Sequence, residues 1–313
     1  MRSSHPFSPA CRDGHGRSRA SPHIDERFRN RTATVDDLTS YGFIGVTADD
    51  PRGASTSNGQ RRRRSGAVLH ANVAEGIHRI EDAYTNWYLV EDSGGLTIVD
   101  AGVPRSWDSL EDALKRLGRD SSDVAAVVLT HAHFDHVGFA ERARTHLDVP
   151  VYVHENDVPL TRHPLQYGHE RSRAYYFLTQ PRAMPIVAAL TKARAWWPDS
   201  LKSVTRYRDG SLPVPGSPRV IPTPGHTLGH CALHLPDRDV VIAGDAIVTL
   251  DPYTAKTGPR IVARAATADS ERALATLDAL AETGARTVLV GHGEPWHGGA
   301  EAAVERARAA GVQ

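Results

Sequence analysis

Three histidines and an aspartate lie within six positions of this 313-residue chain, in the segment 131–136 (HAHFDH). The apolar run 124–129 comes directly before the segment and predicts a buried strand. Because side chains of extended backbone alternate between two faces, His131 and His133 are expected to point the same way. Neutral imidazoles and carboxylates are the ligands that zinc and similar divalent ions prefer. The segment therefore predicts a metal site at the end of a strand.

Three further candidate ligands follow, each at the end of an apolar or β-branched run. His226 ends the segment 220–226 (VIPTPGH), Asp245 ends 240–245 (VVIAGD), and His292 follows 287–291 (TVLVG). A ligand that comes directly after a strand is held on a rigid scaffold. We therefore expect the loops after these strands to build one site at the edge of a sheet.

The order of these motifs, HxHxDH, then PGHT, then GD, then GHG, resembles the metallo-β-lactamase-fold hydrolase superfamily, with a ligand set like those of glyoxalase II and the lactonases. The resemblance extends over about residues 70–300. It implies an α/β fold, a four-layer αβ/βα sandwich, with metals at the edge of the sheets. Blocks of predicted strands with interleaved helices also indicate a layered α/β architecture.

The resemblance further implies a dinuclear metal site. A first metal would be bound by His131, His133 and His226, a second by Asp135, His136 and His292, and both would be bridged by Asp245. An anionic bridge is physically reasonable because two dications ~3.5–4 Å apart repel each other. We expect two divalent ions, with zinc as the first choice and iron or manganese as alternatives.

A metal-bridging hydroxide is the nucleophile expected at such a site. A bound metal lowers the pKa of water to about 7, and Asp135, the candidate catalytic residue, would orient that water. The expected reaction is hydrolysis of an ester-like bond: a carboxylic ester, lactone, thioester or phosphodiester. Lactonase relatives carry a tyrosine three residues after the bridging aspartate, where this chain has Val248 and its nearest tyrosine is Tyr253.

Two other classes of function stay open at this point. Sulfur dioxygenases resemble the same motif set but use a single iron, which here would be bound by His131, His133, His226 and Asp245. A non-catalytic scaffold usually shows lost ligands, and none is lost in this sequence. His230 is a further candidate ligand because it lies four residues after His226. Since the ligand set is already complete, we expect it to support the site instead.

Composition divides the chain into two parts. Residues 1–66 are rich in Ser, Arg, Pro and Gly and carry 12 arginines against 7 acidic residues, so we expect a disordered tail that buries no core. Residues 67–313 are expected to form the metallo-β-lactamase-fold domain. Within it, the aromatic segment of about 161–200 predicts a helical insert that forms a wall of the substrate pocket. Packing on the domain, or a homodimer contact, is the alternative.

Composition also narrows the partners and the compartment. Residues 67–313 carry 25 basic and 30 acidic side chains, which argues against a nucleic-acid surface. No apolar run approaches the ~18 residues of a membrane span, and no apolar stretch of a secretory signal is visible near the start. The only cysteines, Cys11 and Cys231, fit a reducing compartment. We expect a cytoplasmic enzyme with a small-molecule substrate and no membrane partner.

Removal of residues 1–66 should leave stability and turnover unchanged, because a segment that buries no core contributes little to the free energy of unfolding. The measurement is the melting temperature and kcat of the shortened chain beside those of the full chain. A melting temperature lower by more than ~5 °C would show instead that the tail packs on the domain.

Overall fold

The structure is a computed structural model that describes residues 66–313. The expectation of a disordered tail therefore concerns residues that, apart from Gly66, lie outside the described part of the chain. Regular secondary structure in residues 66–313 begins with a strand at Val68 and ends with a helix at Ala310. Between them, strands alternate with helices, in agreement with the layered α/β architecture that the sequence predicts.

The first sheet has seven strands, which lie side by side in the order of the sequence. β1 to β4 pair antiparallel, whereas β4 to β7 run parallel, and each parallel pair is joined through helices. The strands are β1 Val68–Ala74, β2 Ile77–Asp82, β3 Thr85–Asp92, β4 Gly95–Val99, β5 Val124–Val128, β6 Val151–His154 and β7 Thr205–Tyr207.

The second sheet has five strands in the order β14-β11-β10-β9-β8, and β12 pairs with β13 in a separate ribbon. The strands are β8 Gly210–Ser211, β9 Arg219–Pro222, β10 Cys231–Leu235, β11 Val240–Gly244, β12 Val248–Leu250, β13 Thr257–Arg260 and β14 Thr287–Val290. The sequence did not predict β8, β12 or β13. These strands have the sequences GS, VTL and TGPR, which contain too few apolar residues to form the run or alternation that indicates a strand.

The helices are α1 Ser106–Arg116, α2 Ala140–His146, α3 Val158–Arg162, α4 Arg173–Thr179, α5 Met184–Lys192, α6 Ser270–Thr276, α7 Asp278–Ala281 and α8 Ala300–Ala310. α6 and α7 are separated by a single residue, Leu277, which keeps a right-handed helical backbone conformation. α4 and α5 lie in the predicted aromatic insert, and α3 ends at its start. None of the helices in residues 66–313 has the length and apolar composition needed to cross a membrane.

The two sheets pack face to face, and each carries helices on its outer face. Tyr88 and Val90 of β3 share a core with Leu233 and Ile242 of the second sheet. Leu89, between them in sequence, belongs to the core under α1 and α2, because successive side chains of a strand point to opposite faces. The outer face of the second sheet packs on α6, α7 and α8 in the same way. This order of layers confirms the predicted four-layer αβ/βα sandwich.

The carboxyl ends of four strands meet at one edge of the sandwich. β11 and β14 are parallel, and β9 runs in the same direction because two antiparallel pairings separate it from β11. The Cys231 N–H donates to the Thr130 carbonyl at 2.9 Å, which ties the loop after β5 to the same edge. The predicted ligands follow β5, β9, β11 and β14, so the fold brings them toward one place.

The turn between the segment 131–136 and α2 lies directly against the loop after β4. The Gly138 N–H donates to the Gly102 carbonyl at 2.9 Å. A Cβ atom on Gly138 would lie 2.2 Å from the carbonyl carbon of Val103. That carbon belongs to a backbone that cannot rotate away as a side chain would, so only glycine fits here.

Gly138→Ala should therefore lower the free energy of unfolding by roughly 2–3 kcal/mol, because the added methyl group forces two backbone segments apart. Urea denaturation measures the change. Gly94→Ala is the matched control: its Cβ would come no closer than 3.1 Å to the side chain of Asp92, and its effect should stay within ~0.5 kcal/mol. Equal unfolding midpoints for the two variants would contradict the close approach of the two loops.

Candidate metal centre

The segment 131–136 leaves β5 and then closes into a tight turn. The His136 N–H and the Val137 N–H both donate to the His133 carbonyl, at 3.0 and 3.1 Å. The turn folds the chain back, so that the ring centroid of His131 lies 4.8 Å from that of His133 and 4.3 Å from that of His136. All three rings are buried. One short segment thus supplies several imidazoles to the interior of the edge.

His226 joins His131 and His133 in a first group. The ligand atoms of these three residues all lie within 4.8 Å of one another. Their Nε2 atoms are buried and have no hydrogen-bond partner within residues 66–313. A buried polar atom without a partner costs free energy, and a metal ion bound by all three nitrogens would satisfy them. The donor set and its spacing therefore fit a metal ion.

Asp135, His136 and His292 form a second group, whose ligand atoms also lie within 4.8 Å of one another. The His292 Nε2 atom lies 3.4 Å from Asp135 Oδ2. The His136 Nε2 atom is buried without a hydrogen-bond partner in the described part of the chain. Two imidazoles and a carboxylate are again a set of ligands that suits a divalent transition metal.

The Asp245 carboxylate lies between the two groups. Its Oδ2 atom is 3.4 Å from His226 Nε2 of the first group and 3.3 Å from His292 Nε2 of the second. Its Oδ1 atom is 3.6 Å from His136 Nε2. The structure thus brings together all seven residues that the sequence singled out as metal ligands.

The electrostatics of the centre favour neutral imidazoles in one group and positive charge beside the carboxylates. Burial lowers the pKa of His131 and His133 well below the usual value, and that of His226 to about 4. Neutral imidazole is the form that binds a metal. Burial also acts to lower the pKa of His136, but the neighbouring carboxylates, Asp245 first, outweigh it and raise the pKa to about 10. The carboxylates therefore stabilise positive charge here, whether it is carried by a protonated imidazole or by a bound metal ion.

Asp100 directly follows β4 and holds His136 in place. Its Oδ2 atom accepts from His136 Nδ1 at 3.0 Å, and its Oδ1 atom accepts from the Thr130 N–H at 2.8 Å. With Nδ1 engaged in this way, His136 presents Nε2 to Asp245. The sequence pattern did not single out Asp100. Its position right after a buried strand, which it shares with Asp245, is the signal that could have identified it.

His230 supports the centre instead of binding a metal. Its Nε2 atom accepts a hydrogen bond from the Asp245 N–H at 3.0 Å, and this assigns the ring proton to Nδ1. Nδ1 then donates to Thr223 Oγ1 at 2.8 Å. Because both ring nitrogens are engaged, His230 offers no free lone pair to a metal. This geometry agrees with the expectation from the sequence.

Asp157 connects two of the loops that carry the candidate ligands. Its carboxylate accepts from the Ala132 N–H at 3.0 Å, from Thr227 Oγ1 at 2.7 Å and from the Gly229 N–H at 2.7 Å. Burial raises its pKa to about 6, so at neutral pH it is still mostly the carboxylate. Nothing in the sequence indicated that a residue beyond β6 would reach both loops, because the contact exists only in the folded chain.

The glycine before His292 leaves room for Asp245. A Cβ atom on Gly291 would lie 2.0 Å from Asp245 Oδ1 and 2.9 Å from His136 Cε1. Any other residue would displace the carboxylate that lies between the two groups. The sequence pattern of strand, glycine and ligand therefore has a direct steric cause at this position.

A narrow cleft opens onto the centre, and the aromatic insert forms part of its wall. Tyr176, Phe177 and Trp196 line it, as the sequence led us to expect for the pocket-wall alternative. Tyr175 and Trp197 are 44% and 58% exposed and do not line it. Other residues of the insert pack on the domain, and the role of the insert in binding a substrate stays a prediction.

The chain is similar to several known proteins. It is 30% identical over 248 residues to "Probable metallo-hydrolase YflN" of Bacillus subtilis (strain 168), a match that covers 75% of this chain and 89% of that relative. Metallo-beta-lactamase family protein TTHA1429 from Thermus thermophilus has a similar structure, with a TM-score of 0.55, 27% identity, and coverage of 75% of this chain and 79% of that one.

A second solved structure, TTHA1623 in a di-iron-bound form, has a TM-score of 0.50 and 28% identity, and covers 70% of this chain and 92% of that one. The family model described as "Metallo-beta-lactamase superfamily" matches residues 80–292. That range contains β5, β9, β11 and β14 and every candidate ligand. This chain therefore belongs to the metallo-β-lactamase superfamily, whose members include metallo-hydrolases.

Proposed function

We propose that residues 67–313 form a dinuclear metal-dependent hydrolase that attacks an ester-like bond. The observation that carries the proposal is the position of Asp245, with its carboxylate oxygens within 3.6 Å of imidazole nitrogens from both groups. A shared carboxylate is what a two-metal site requires between its cations. A single-metal site would leave the second group without a function.

We assign the ligands according to these two groups. His131, His133 and His226 would hold one metal, Asp135, His136 and His292 would hold the other, and Asp245, which lies between the two groups, would be shared by them. Imidazole nitrogens with carboxylates suit zinc, and also iron. Zinc is our first choice. Iron is the alternative, supported by the di-iron-bound form of the similar protein TTHA1623.

When bound, such cations would supply Lewis acidity to the scissile bond and would make water a better nucleophile near neutral pH. The side chains of Asp135 and Asp245 line the cleft and therefore meet the reacting bond. We assign Asp135 the task of orienting the attacking water, because its carboxylate can accept a hydrogen bond from that water while lying beside His292. The other proposed ligands would hold the metals in fixed positions.

Two alternatives have less support. A sulfur dioxygenase would use one iron on His131, His133, His226 and Asp245, and would leave the complete second group unused. A non-catalytic scaffold would have no reason to keep seven buried metal-ligating side chains, whose burial costs free energy unless they are satisfied. The completeness of both groups favours hydrolysis.

Protein purified without added metal should contain two zinc or iron ions per chain by mass spectrometry. It should hydrolyse at least one member of a panel made of a carboxylic ester, a lactone, a thioester and a phosphodiester. Asp245→Ala should reduce the metal content and lower kcat by roughly a thousandfold or more, since several kcal/mol of charge stabilisation depend on the metals.

His230→Ala is the comparison for Asp245→Ala, because it removes the acceptor of the Asp245 N–H but no proposed ligand. Its effect on kcat should be about 10–100-fold, with most of the metal retained. Equal loss of metal from both variants would make His230 a ligand. If the protein held one iron per chain and consumed oxygen with a persulfide as substrate, its activity would be that of a dioxygenase and the proposed hydrolase would be wrong.

Asp157→Asn should raise the Kd for metal by about 10–100-fold. The amide has the size of the carboxylate, but its NH2 group would face N–H or O–H donors from the two loops that Asp157 joins. Competition with a chelator measures the Kd. Asp148→Asn is the control, since Asp148 is exposed and its φ of 54° is one that asparagine tolerates. If both variants bound metal equally, Asp157 would have no part in holding the ligand loops.

A further inference from the structure

The cleft above the candidate metal centre has an apolar wall. At its inner end lie five of the proposed ligands, His133, Asp135, His226, Asp245 and His292. The rest of its lining is aromatic or aliphatic: Phe134, Tyr167, Tyr176, Phe177, Ala183, Val187, Leu190, Trp196, Pro252, Tyr253, Val262 and Ala266. No lysine or arginine is among these residues, and both carboxylates belong to the metal centre.

A ladder of rings runs from the insert to a proposed metal ligand. The Trp196 ring stacks on Phe134 with centroids 4.9 Å apart, and Phe134 stacks on Tyr167 at 6.2 Å. Tyr167 in turn lies 4.0 Å from His133, with ring planes 35° apart. The lining therefore includes a row of packed rings that ends at the candidate metal centre.

The polar atoms of this wall are mostly bound within the protein. The Tyr176 hydroxyl donates to the Gln313 carbonyl at 2.8 Å, and Trp196 Nε1 donates to Thr191 Oγ1 at 2.9 Å. The hydroxyls of Tyr167 and Tyr253 bind each other at 2.9 Å, which leaves one of their two hydrogens for another acceptor. These side chains accordingly present ring surface to the cleft, and very little polar surface.

We propose that the substrate carries an uncharged, apolar group next to the bond that is hydrolysed, and that this group lies along the ring ladder. The inference rests on the proposed hydrolysis and names its substrate class. An anionic group lying along the ring ladder, such as a further phosphate of a phosphodiester substrate or the carboxylate of an acidic peptide thioester, would lose its hydration without gaining a cation from the side chains of the wall. Arg173 does not change this, because its guanidinium lies 4.4 Å over the Tyr167 ring and outside the lining.

The reaction on such a substrate is balanced by water alone. The water oxygen forms a new bond to the acyl carbon, the bond from that carbon to the leaving oxygen breaks, and the proton passes to the leaving oxygen. An acid and an alcohol result. No oxidant or reductant is needed. Hydrolysis of such a substrate therefore requires no co-reactant other than water.

Two ester series test the substrate class on the purified holoenzyme. In one, the acyl chain lengthens from acetyl to octanoyl with a constant alcohol. In the other, the alcohol lengthens with a constant acetyl group. Burial of one methylene should raise kcat/KM about fourfold in at least one series until the cleft is filled. A matched ester with a carboxylate at the far end of the chain should be roughly a hundredfold poorer.

Variants of the ring ladder tie that preference to the cleft. Trp196→Ala should reduce the gain per methylene to less than about twofold, because it removes the outer ring of the ladder. Trp197→Ala is the matched control, since Trp197 is 58% exposed and outside the lining. Val187→Lys places an ammonium group in the wall from the partly buried side of α5. This variant should shift the substrate preference of the enzyme toward the ester with the terminal carboxylate. Because the substitution removes no packed ring, it tests the wall without opening a cavity.

A binding measurement separates failure of this inference from failure of the proposed hydrolysis. Titration calorimetry with octanol, which cannot be hydrolysed, should show binding that weakens about tenfold or more in Trp196→Ala and is unchanged in Trp197→Ala. Such binding without any esterase activity would refute the hydrolysis and keep the apolar cleft. Hydrolysis with no chain-length dependence in either series, or a preference of the wild type for the carboxylate ester, would overturn the substrate class and leave the hydrolase.

Discussion

The Asp245 carboxylate, buried among three imidazoles, is the interaction on which the arrangement of the site depends. A carboxylate removed from water is costly unless opposite charge or hydrogen-bond donors surround it. Here the imidazoles of His136, His226 and His292 approach its oxygens within 3.6 Å. Burial raises its pKa, but His292 and His136 outweigh burial and hold that pKa well below the usual value. The carboxylate is therefore ionised, and two metals would bind to it from opposite groups.

The sandwich makes such a crowded site possible because the ligands sit on the ends of strands. Each strand is fixed by its neighbours, so the loop that follows it has little freedom. Asp100 then orients His136, and Asp157 joins the loop of the segment 131–136 to the loop of His226. Both carboxylates support the site through hydrogen bonds, without being metal ligands themselves. They hold the backbone and one ring in the geometry that the ligands require.

Under the proposed function, chemistry and substrate recognition would be divided between two parts of the fold. The candidate ligands belong to the strand ends of the sandwich, whereas the insert supplies much of the apolar cleft wall. The helices α4 and α5 have seven and nine residues, which is too short for stable isolated helices. Ile186 and Leu190 anchor the insert through a core shared with Phe134. The insert also touches the metal centre, because the Tyr167 ring lies 4.0 Å from the ring of His133.

Much of the fold and of the site could be predicted from the sequence, because the evidence is local. Periodic apolar runs give the strands of both sheets, and the ligands follow those strands within a few residues. The four-layer sandwich and the superfamily are both confirmed. Even the supporting position of His230 followed from the completeness of the ligand set. The assignment of each ligand to a metal stays a prediction.

The tertiary structure decided the contacts between segments that lie far apart in sequence. Asp157 reaches two loops, and the Tyr84 carbonyl accepts from His292 Nδ1 at 2.8 Å across 208 positions; a main-chain oxygen leaves no mark on a sequence. Neighbouring aromatics were equivalent by composition, yet Trp196 lines the cleft and Trp197 faces solvent. Which of two adjacent rings faces inward depends on how the backbone packs on the domain, because neighbouring residues point in different directions. Sequence thus determined which residues could bind metal, and packing determined which side chains line the cleft above them.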